Sequence, residues 1–198
     1  MKVFTEKEAE NFLEKNSFEV AKSIFVKDEK SIWNAVKEIK FPLVAKASGK
    51  KIIHKKKLGG VFTNIENEKD LLKAFAKLKK IKGCEEILLQ ESLRGTELFF
   101  GIKKTPEFAH VLVFGKGGSN VEEEKDVTFR ICPVEKKDIQ EMISETKISK
   151  KINKKEKTTS EKTLIKLCKL AEKYKDISEL DINPLMNGKI ADARIVFE

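Results

Sequence analysis

The chain has 198 residues, enough for a real hydrophobic core in one domain or two small lobes, and 40% hydrophobic residues with thirteen Phe exclude a disordered polymer despite 37% charge. Its net charge of +9 is concentrated: residues 46–57 hold six Lys and no acid, and residues 147–157 hold six Lys and Glu156, leaving the rest slightly acidic. With one Trp, one Tyr and no aromatic in either basic stretch, the charge is a poor fit to nucleic-acid binding, and no apolar run approaches membrane-spanning length.

Thr5 with Glu8 three residues later is a capping-box signal for a helix to about Lys15, with Ala9, Phe12 and Leu13 as its buried stripe. This acidic, helical start is unlike a leader, so a cytoplasmic protein is expected. Phe18 to Val26 is strand-like, and a helix from Ser31 to Ile39 stops before Phe41-Pro42. Lys46 then projects from a strand that Gly49 breaks. Lys50, Lys51, Lys55, Lys56 and Lys57 crowd around His54, and such a cluster of cations repels itself unless an anion such as a polyphosphate or an acidic partner surface neutralises it. Gly59 and Gly60 can let backbone N–H groups approach an oxyanion before a strand resumes at Val61. Asn67 caps a helix from Glu68 to about Lys80.

From Glu86 the pattern changes to closely spaced strands, at Ile87–Glu91, Thr96–Lys103, Ala109–Phe114 and Val127–Ile131. Helices follow near 136–146 and 160–174, with the lysine-rich segment 147–157 between them read as a solvated loop. A hairpin, Leu180–Leu185 and Ile190–Phe197, turns at Asn187-Gly188. The expected organisation is therefore an N-terminal helix plus small lobe over residues 1–90 and a larger lobe over residues 91–198. Cys84, Cys132 and Cys168, odd in number and without metal-ligand spacing, are expected to be reduced core residues.

Asp181 and Asn183 are two apart on a strand and share a face, with Asp192 on the returning strand; together they offer hard oxygen ligands of the sort Mg²⁺ takes beside substrate phosphates. Polar residues flanking a turn on a solvated sheet face would show the same spacing. Glu91 and Glu97 bracket a break, Ser92 to Thr96, that suits a hinge, although an exposed hairpin would read alike. The lysines beside His54 favour a neutral imidazole, able to accept a phosphoryl group. His110, in an apolar strand, is expected to be structural, and Gly115-Lys116-Gly117-Gly118 is either a phosphate loop or a flexible turn.

These pieces occur in a recognisable order: Phe41-Pro42-Leu43-Val44-Ala45-Lys46, His54-Lys55, Gly59-Gly60-Val61, Gln90-Glu91, Gly95-Thr96-Glu97, Phe114-Gly115 with Gly117-Gly118, Asp126-Val127-Thr128-Phe129-Arg130, Leu180-Asp181-Ile182-Asn183-Pro184-Leu185 and Asp192-Ala193-Arg194-Ile195-Val196. The chain resembles the ATP-grasp β subunit of ADP-forming acetyl-CoA synthetase over nearly its whole length. The resemblance implies an α+β ATP-grasp fold, with two lobes of mainly antiparallel sheet and a nucleotide cleft between them. It implies ATP or ADP with Mg²⁺ as cofactors and a CoA-binding α subunit as partner, in an α2β2 assembly. It also implies a reaction that makes ATP from acyl-CoA, ADP and phosphate, in which His54 relays a phosphoryl group to ADP. By the same matching Lys46, Gly59, Gly60 and Arg130 belong to the nucleotide-binding set, and Gln90, Glu91, Ser92 and Leu93 hold the adenine. Glu97 holds the ribose, and Asn183 and Asp192, with Asp181 close by, hold Mg²⁺. Where the family usually has Ser-Asp after His-Lys, this chain has Lys56-Lys57, which leaves a catalytically silent ATP-binding scaffold as the alternative.

Overall fold

The computed structural model describes residues 1–49, 52, 55, 57–119 and 121–198, with Glu122 described by its backbone alone. In chain order the elements are β1 (Lys2–Val3), α1 (Glu6–Lys15), β2 (Ser23–Val26), α2 (Glu29–Ile39), β3 (Leu43–Ser48), β4 (Val61–Ile65), α3 (Glu68–Leu78), β5 (Glu86–Glu91), β6 (Leu98–Lys103), β7 (Val111–Lys116), α4 (Val121–Glu124), β8 (Val127–Ile131), α5 (Lys136–Ser144), a 3-10 turn (Ile148–Lys150), α6 (Lys154–Lys173), β9 (Ile177–Met186), β10 (Lys189–Ile190) and β11 (Ala193–Phe197).

The helix starts are chemically marked. Thr5 and Glu8 form the expected capping box: the Glu8 N–H donates to Thr5 Oγ1 and the Thr5 N–H donates to Glu8 Oε2. Asp28, Asn67 and Asn153 each accept a backbone N–H three residues on, at 2.8–3.0 Å, satisfying amides that a helix leaves orphaned. The cap at Asn153 overturns one expectation. Lysines 154, 155 and 157 are not loop but the first turn of α6, which begins six residues before the predicted Ser160. Ile148 and Ile152, buried among the core side chains, anchor the rest of that segment. Its lysines are solvated, but its backbone is ordered by the apolar residues interleaved with them.

The chain divides into two compact units, Met1–Val20 with Arg94–Glu198, and Ala21–Leu93. Residues 1–90 are thus not one unit, and the reason is packing. β1 pairs antiparallel with β11, and Phe4 and Phe12 meet Phe197 and Tyr174 with ring centroids 4.8–5.8 Å apart, so the N-terminal helix is stapled to the end of the chain.

In the first unit, an antiparallel sheet runs β1-β11-β9-β6-β7-β8, with β10 paired to β9. One face of it, carrying Phe100, Ile102, Leu112, Phe114, Leu180 and Ile182, is covered by α5 and α6. Asn187 and Gly188 both take positive φ, 47° and 87°, as the tight turn before β10 demands. Cys132, just past β8, is disulfide-bonded to Cys168 on α6, contrary to the reduced state expected from sequence, because the fold brings their Cα atoms to 5.7 Å. Cys84 is a free thiol, its pKa pushed up by burial.

In the second unit, the sheet order is β2-β5-β3-β4, all antiparallel, and α2 and α3 cover the face that carries Leu43, Ala45, Ala47, Ile87 and Leu89.

Candidate functional site

The predicted residues fall into two groups, one in each unit. In the unit 21–93, β3 is an interior strand, and register places Lys46 opposite Leu88 and Val44 opposite Gln90. Lys46 and Gln90 therefore share the sheet face turned away from α2 and α3. Both are nearly buried, at 5% and 2% exposure, so the strand fixes their backbone and close neighbours fix their side chains. Glu91 alternates to the opposite face, where its Oε1 accepts the Lys22 N–H at 2.8 Å. Its carboxylate is thus committed to holding β2 and β5 together. The Ser92 N–H donates to Pro42 O, and Ser92 and Leu93 are half-buried at the unit's last residues.

The Gly-Gly pair serves the turn. Gly59 has φ +66°, while the Gly60 N–H donates to Lys55 O and its carbonyl accepts from Ala47 N. The expectation that both glycine amides point at an oxyanion does not hold for Gly60, whose amide closes the turn. His54, with Lys50, Lys51 and Lys56, lies outside the described residues.

In the other unit, the end of β7 crosses β6 so closely that Gly117 has the Leu98 backbone about where a side chain would begin, 2.8–3.0 Å away. Gly118 follows with φ +102°, and a Glu97 carboxylate oxygen occupies the space a Cβ would need. The Gly118 N–H donates to Asn183 Oδ1 at 2.7 Å, and Asn183 Nδ2 donates back to Gly118 O at 3.1 Å. Asn183 is in turn joined to Asp192 through the Asn183 N–H and Asp192 O, 3.0 Å apart. Glu97, Asn183 and Asp192 are therefore one constellation, assembled around a glycine loop that is neither a free phosphate loop nor a flexible turn. Close packing requires its glycines.

Asp181 is on the same face, opposite Gly101 on one side and Arg194 on the other. Burial, reinforced by the hydrogen bond and charge of Glu179, lifts its carboxyl to a pKa of about 7, with Arg194 and Lys103 pulling the other way. The native state thus holds a proton that the unfolded chain releases near pH 4. That stabilisation is fully present below the unfolded value and is lost as pH rises toward 7, an effect on the order of 3 kcal/mol. Metal-free Asp181→Asn is expected to exceed wild type slightly in thermal midpoint at pH 5 and by a larger margin at pH 8. Equal midpoints at both pH values would remove the assignment.

Arg130 is not brought to this constellation. It pairs across the ladder with Leu112 on the helix-covered face, and its guanidinium donates to both carboxylate oxygens of Glu145 at 3.1 and 2.5 Å. That pairing raises the Arg130 pKa and lowers that of Glu145. Its neighbours behave alike: Thr128 Oγ1 donates to Met142 O, and the Asp126 carboxylate accepts the Lys147 and Ile148 N–H groups at 2.7 and 2.8 Å. The alternate residues of Asp-Val-Thr-Phe-Arg are thus fasteners between β8 and the helices. His110 is structural as expected, its Nε2–H donating to Ile177 O at 2.8 Å with the ring 4% exposed.

Asn183 and Asp192 suit Mg²⁺ in donor chemistry, since an amide oxygen and a carboxylate are both hard oxygen ligands. Among the described residues no group of three His, Cys, Asp or Glu is placed to hold a metal.

Residues 1–196 match the model of the ATP-grasp domain. The chain is 35% identical to acetate–CoA ligase [ADP-forming] II of Archaeoglobus fulgidus over 201 residues, covering 96% of this chain and 30% of that protein. It is 34% identical to subunit beta of acetate–CoA ligase [ADP-forming] II of Pyrococcus furiosus, covering 81% of this chain and 77% of that subunit. The chain belongs to the ATP-grasp family of ADP-forming acetate–CoA ligase β subunits. Its fold agrees with acetyl-coenzyme A synthetase 1 of Ca. Korarchaeum cryptofilum bound to coenzyme A and Ca-AMPCP, at a TM-score of 0.88 and 30% identity over 100% of this chain and 94% of that one. A second structure of that enzyme, with coenzyme A and Mg-AMPPCP and its phosphohistidine segment pointing towards the nucleotide binding site, matches at 0.83 and 29% identity over 100% and 93%. The ATP-grasp fold expected from sequence is thus the fold the chain has. The chain spans about 30% of the length of three of the relatives it matches. No helix of the described residues is long and apolar enough to cross a membrane.

Proposed function

We propose that this chain is the nucleotide-binding component of a cytoplasmic ADP-forming acyl-CoA synthetase, which converts acyl-CoA, ADP and phosphate into acid, CoA and ATP together with a CoA-binding subunit in an α2β2 assembly. The observation that carries this reading is the constellation of Glu97, Gly118, Asn183 and Asp192 in a chain of this family. Lys46 offsets nucleotide phosphate charge, Gln90 with the backbone around Ser92 and Leu93 takes the adenine, and Glu97 takes the ribose. Asn183 and Asp192, with Asp181 behind them, hold Mg²⁺. When bound, Mg²⁺ neutralises charge on the phosphate oxygens.

The phosphoryl group travels in two displacements. A ring nitrogen of neutral His54 attacks the phosphorus of a phosphohistidine on the CoA-binding subunit, forming one P–N bond as the other breaks. A terminal oxygen of ADP then attacks the same phosphorus, forming the new P–O bond of ATP and releasing the His54 nitrogen with its electron pair. Lysines around His54 favour the unprotonated ring that the first displacement needs.

The direct test is ligand stabilisation of the purified chain. A ligand bound only by the native state at a hundred times its Kd adds about 2.7 kcal/mol. For a chain of this size that is a rise in Tm of roughly 5–10 °C with Mg·ADP. No shift with millimolar Mg·ADP or Mg·ATP would remove the nucleotide-binding reading.

A further inference from the structure

Every second residue along β8 is tied to the segment that follows the strand. Asp126 accepts the Lys147 and Ile148 N–H groups, Thr128 Oγ1 donates to Met142 O, and Arg130 is bound to Glu145. Cys132 is the next position in that alternation, and it is joined covalently to Cys168 on α6, 36 residues further on. The disulfide therefore closes a loop that contains α5, the 3-10 turn and most of α6. β8 is the end strand of its sheet, paired with β7, so these four ties carry much of what holds it in place.

The two cysteines differ in access. Cys168 is 5% exposed among the core side chains, whereas Cys132 is only half-buried, in the turn just past β8. Thiol–disulfide exchange needs a thiolate to reach one sulfur, so a reagent enters at Cys132 and Cys168 is the sulfur that leaves. Opening the bond does not remove the other three ties. Nor does it remove the packing of Ile139, Met142 and Ile143 of α5 and of Leu164 and Leu167 of α6 in the core. The reduced chain therefore keeps its fold while its edge strand and helical layer are held less firmly.

We propose that Cys132 and Cys168 form a reversible redox site, opened and closed by thiol–disulfide exchange at Cys132, which sets how firmly β8 and α5 are held to the sheet. In the opening direction, one thiolate of a dithiol attacks Cys132 Sγ. A mixed disulfide forms there as the bond to Cys168 breaks, and Cys168 leaves as a thiolate and takes a proton. The second thiolate of the dithiol then attacks its own sulfur in the mixed disulfide and releases Cys132, which is protonated in turn. Two electrons and two protons pass to the cysteines, and the dithiol becomes a disulfide. Closure is the reverse, with a small-molecule disulfide as oxidant: the Cys132 thiolate attacks it, and the Cys168 thiolate then displaces the bound half. The site is thus open in reducing surroundings and closes where disulfides accumulate.

The test counts thiols in the whole chain by alkylation after denaturation. Protein treated with oxidised glutathione is expected to show Cys84 alone as a free thiol, and native protein treated with dithiothreitol is expected to show all three cysteines free. Reduction should lower Tm by roughly 5–15 °C without unfolding the chain, and oxidised glutathione should restore it. Hydrogen exchange should quicken in β8 and α5 on reduction and stay unchanged in β6 and β9. The single variants locate the entry point. In native Cys168→Ser, oxidised glutathione should leave a mixed disulfide on Cys132, found by peptide mapping, whereas in native Cys132→Ser it should leave Cys168 unmodified. Cysteines 132 and 168 that oxidised glutathione does not pair overturn the proposal. So does a bond that dithiothreitol opens only in denaturant, a reduced chain that loses its fold, or a reduced chain with unchanged Tm and exchange.

Discussion

His54→Asn is expected to lower ATP formation by the reconstituted enzyme by roughly three orders of magnitude or more, while nucleotide binding and subunit assembly persist. Asn keeps much of the side-chain size and removes the nucleophile. With the CoA-binding subunit, acyl-CoA and phosphate, the wild-type chain should carry a transient phosphoryl group on His54, recognisable because phosphohistidine is acid-labile and base-stable. The variant should carry none. The substitution separates three readings. A relay loses both label and ATP. Direct phosphorylation of ADP by the partner's own phosphohistidine would leave ATP synthesis near wild type in the variant. A silent scaffold would show neither label nor ATP even in the wild-type chain, the outcome that Lys56 and Lys57 in place of Ser-Asp keep in view.

What could be read from the sequence followed the range of the interaction involved. Local signals survived: Thr5 with Glu8, Asn67, and Asn187-Gly188 each act over three or four residues, and each marks the helix start or turn expected. Signals that depend on distant partners did not. Nothing local says that Phe4 and Phe12 pack against Phe197, so chain order alone groups the N-terminal helix with the residues that follow it and not with the end of the chain. Cys132 and Cys168 are 36 residues apart and lack any spacing motif, so their juxtaposition appears only once β8 and α6 are packed. The lysine run misled through composition. Its charge suggested a loop, although Asn153 and the interleaved Ile148 and Ile152 already carried the cap and the apolar anchors.

The site was half legible for the same reason. Period-two alternation correctly put Asp181 and Asn183 on one face, and the hairpin brought Asp192 beside them. Motif matching could not say which face Arg130 occupies, because that depends on register with β7, and register sends it to Glu145. The tie between Asn183 and Gly118 was also invisible, since 65 residues separate them. The signal that could have found it is the Gly117-Gly118 pair, which marks a backbone that something approaches closely.

Asn183→Ala combined with Asp192→Ala is expected to remove most of the Tm rise produced by Mg·ADP, and the single variants distinguish metal binding from loop support. Asn183 has two jobs, because its amide also clamps both backbone groups of Gly118. Losing that clamp costs about 1 kcal/mol in the ligand-free protein, so each variant is compared with its own ligand-free midpoint. Asp192→Ala is the cleaner probe, since its effect should change sign with the metal. With Mg²⁺ present, the lost carboxylate is a lost metal ligand, and affinity for ADP falls by about tenfold or more. With EDTA present, the same carboxylate merely repels the phosphates, so the variant should bind ADP as well as wild type or better. If Asp192→Ala weakens binding equally with and without Mg²⁺, then Asp192 supports the hairpin and does not hold the metal.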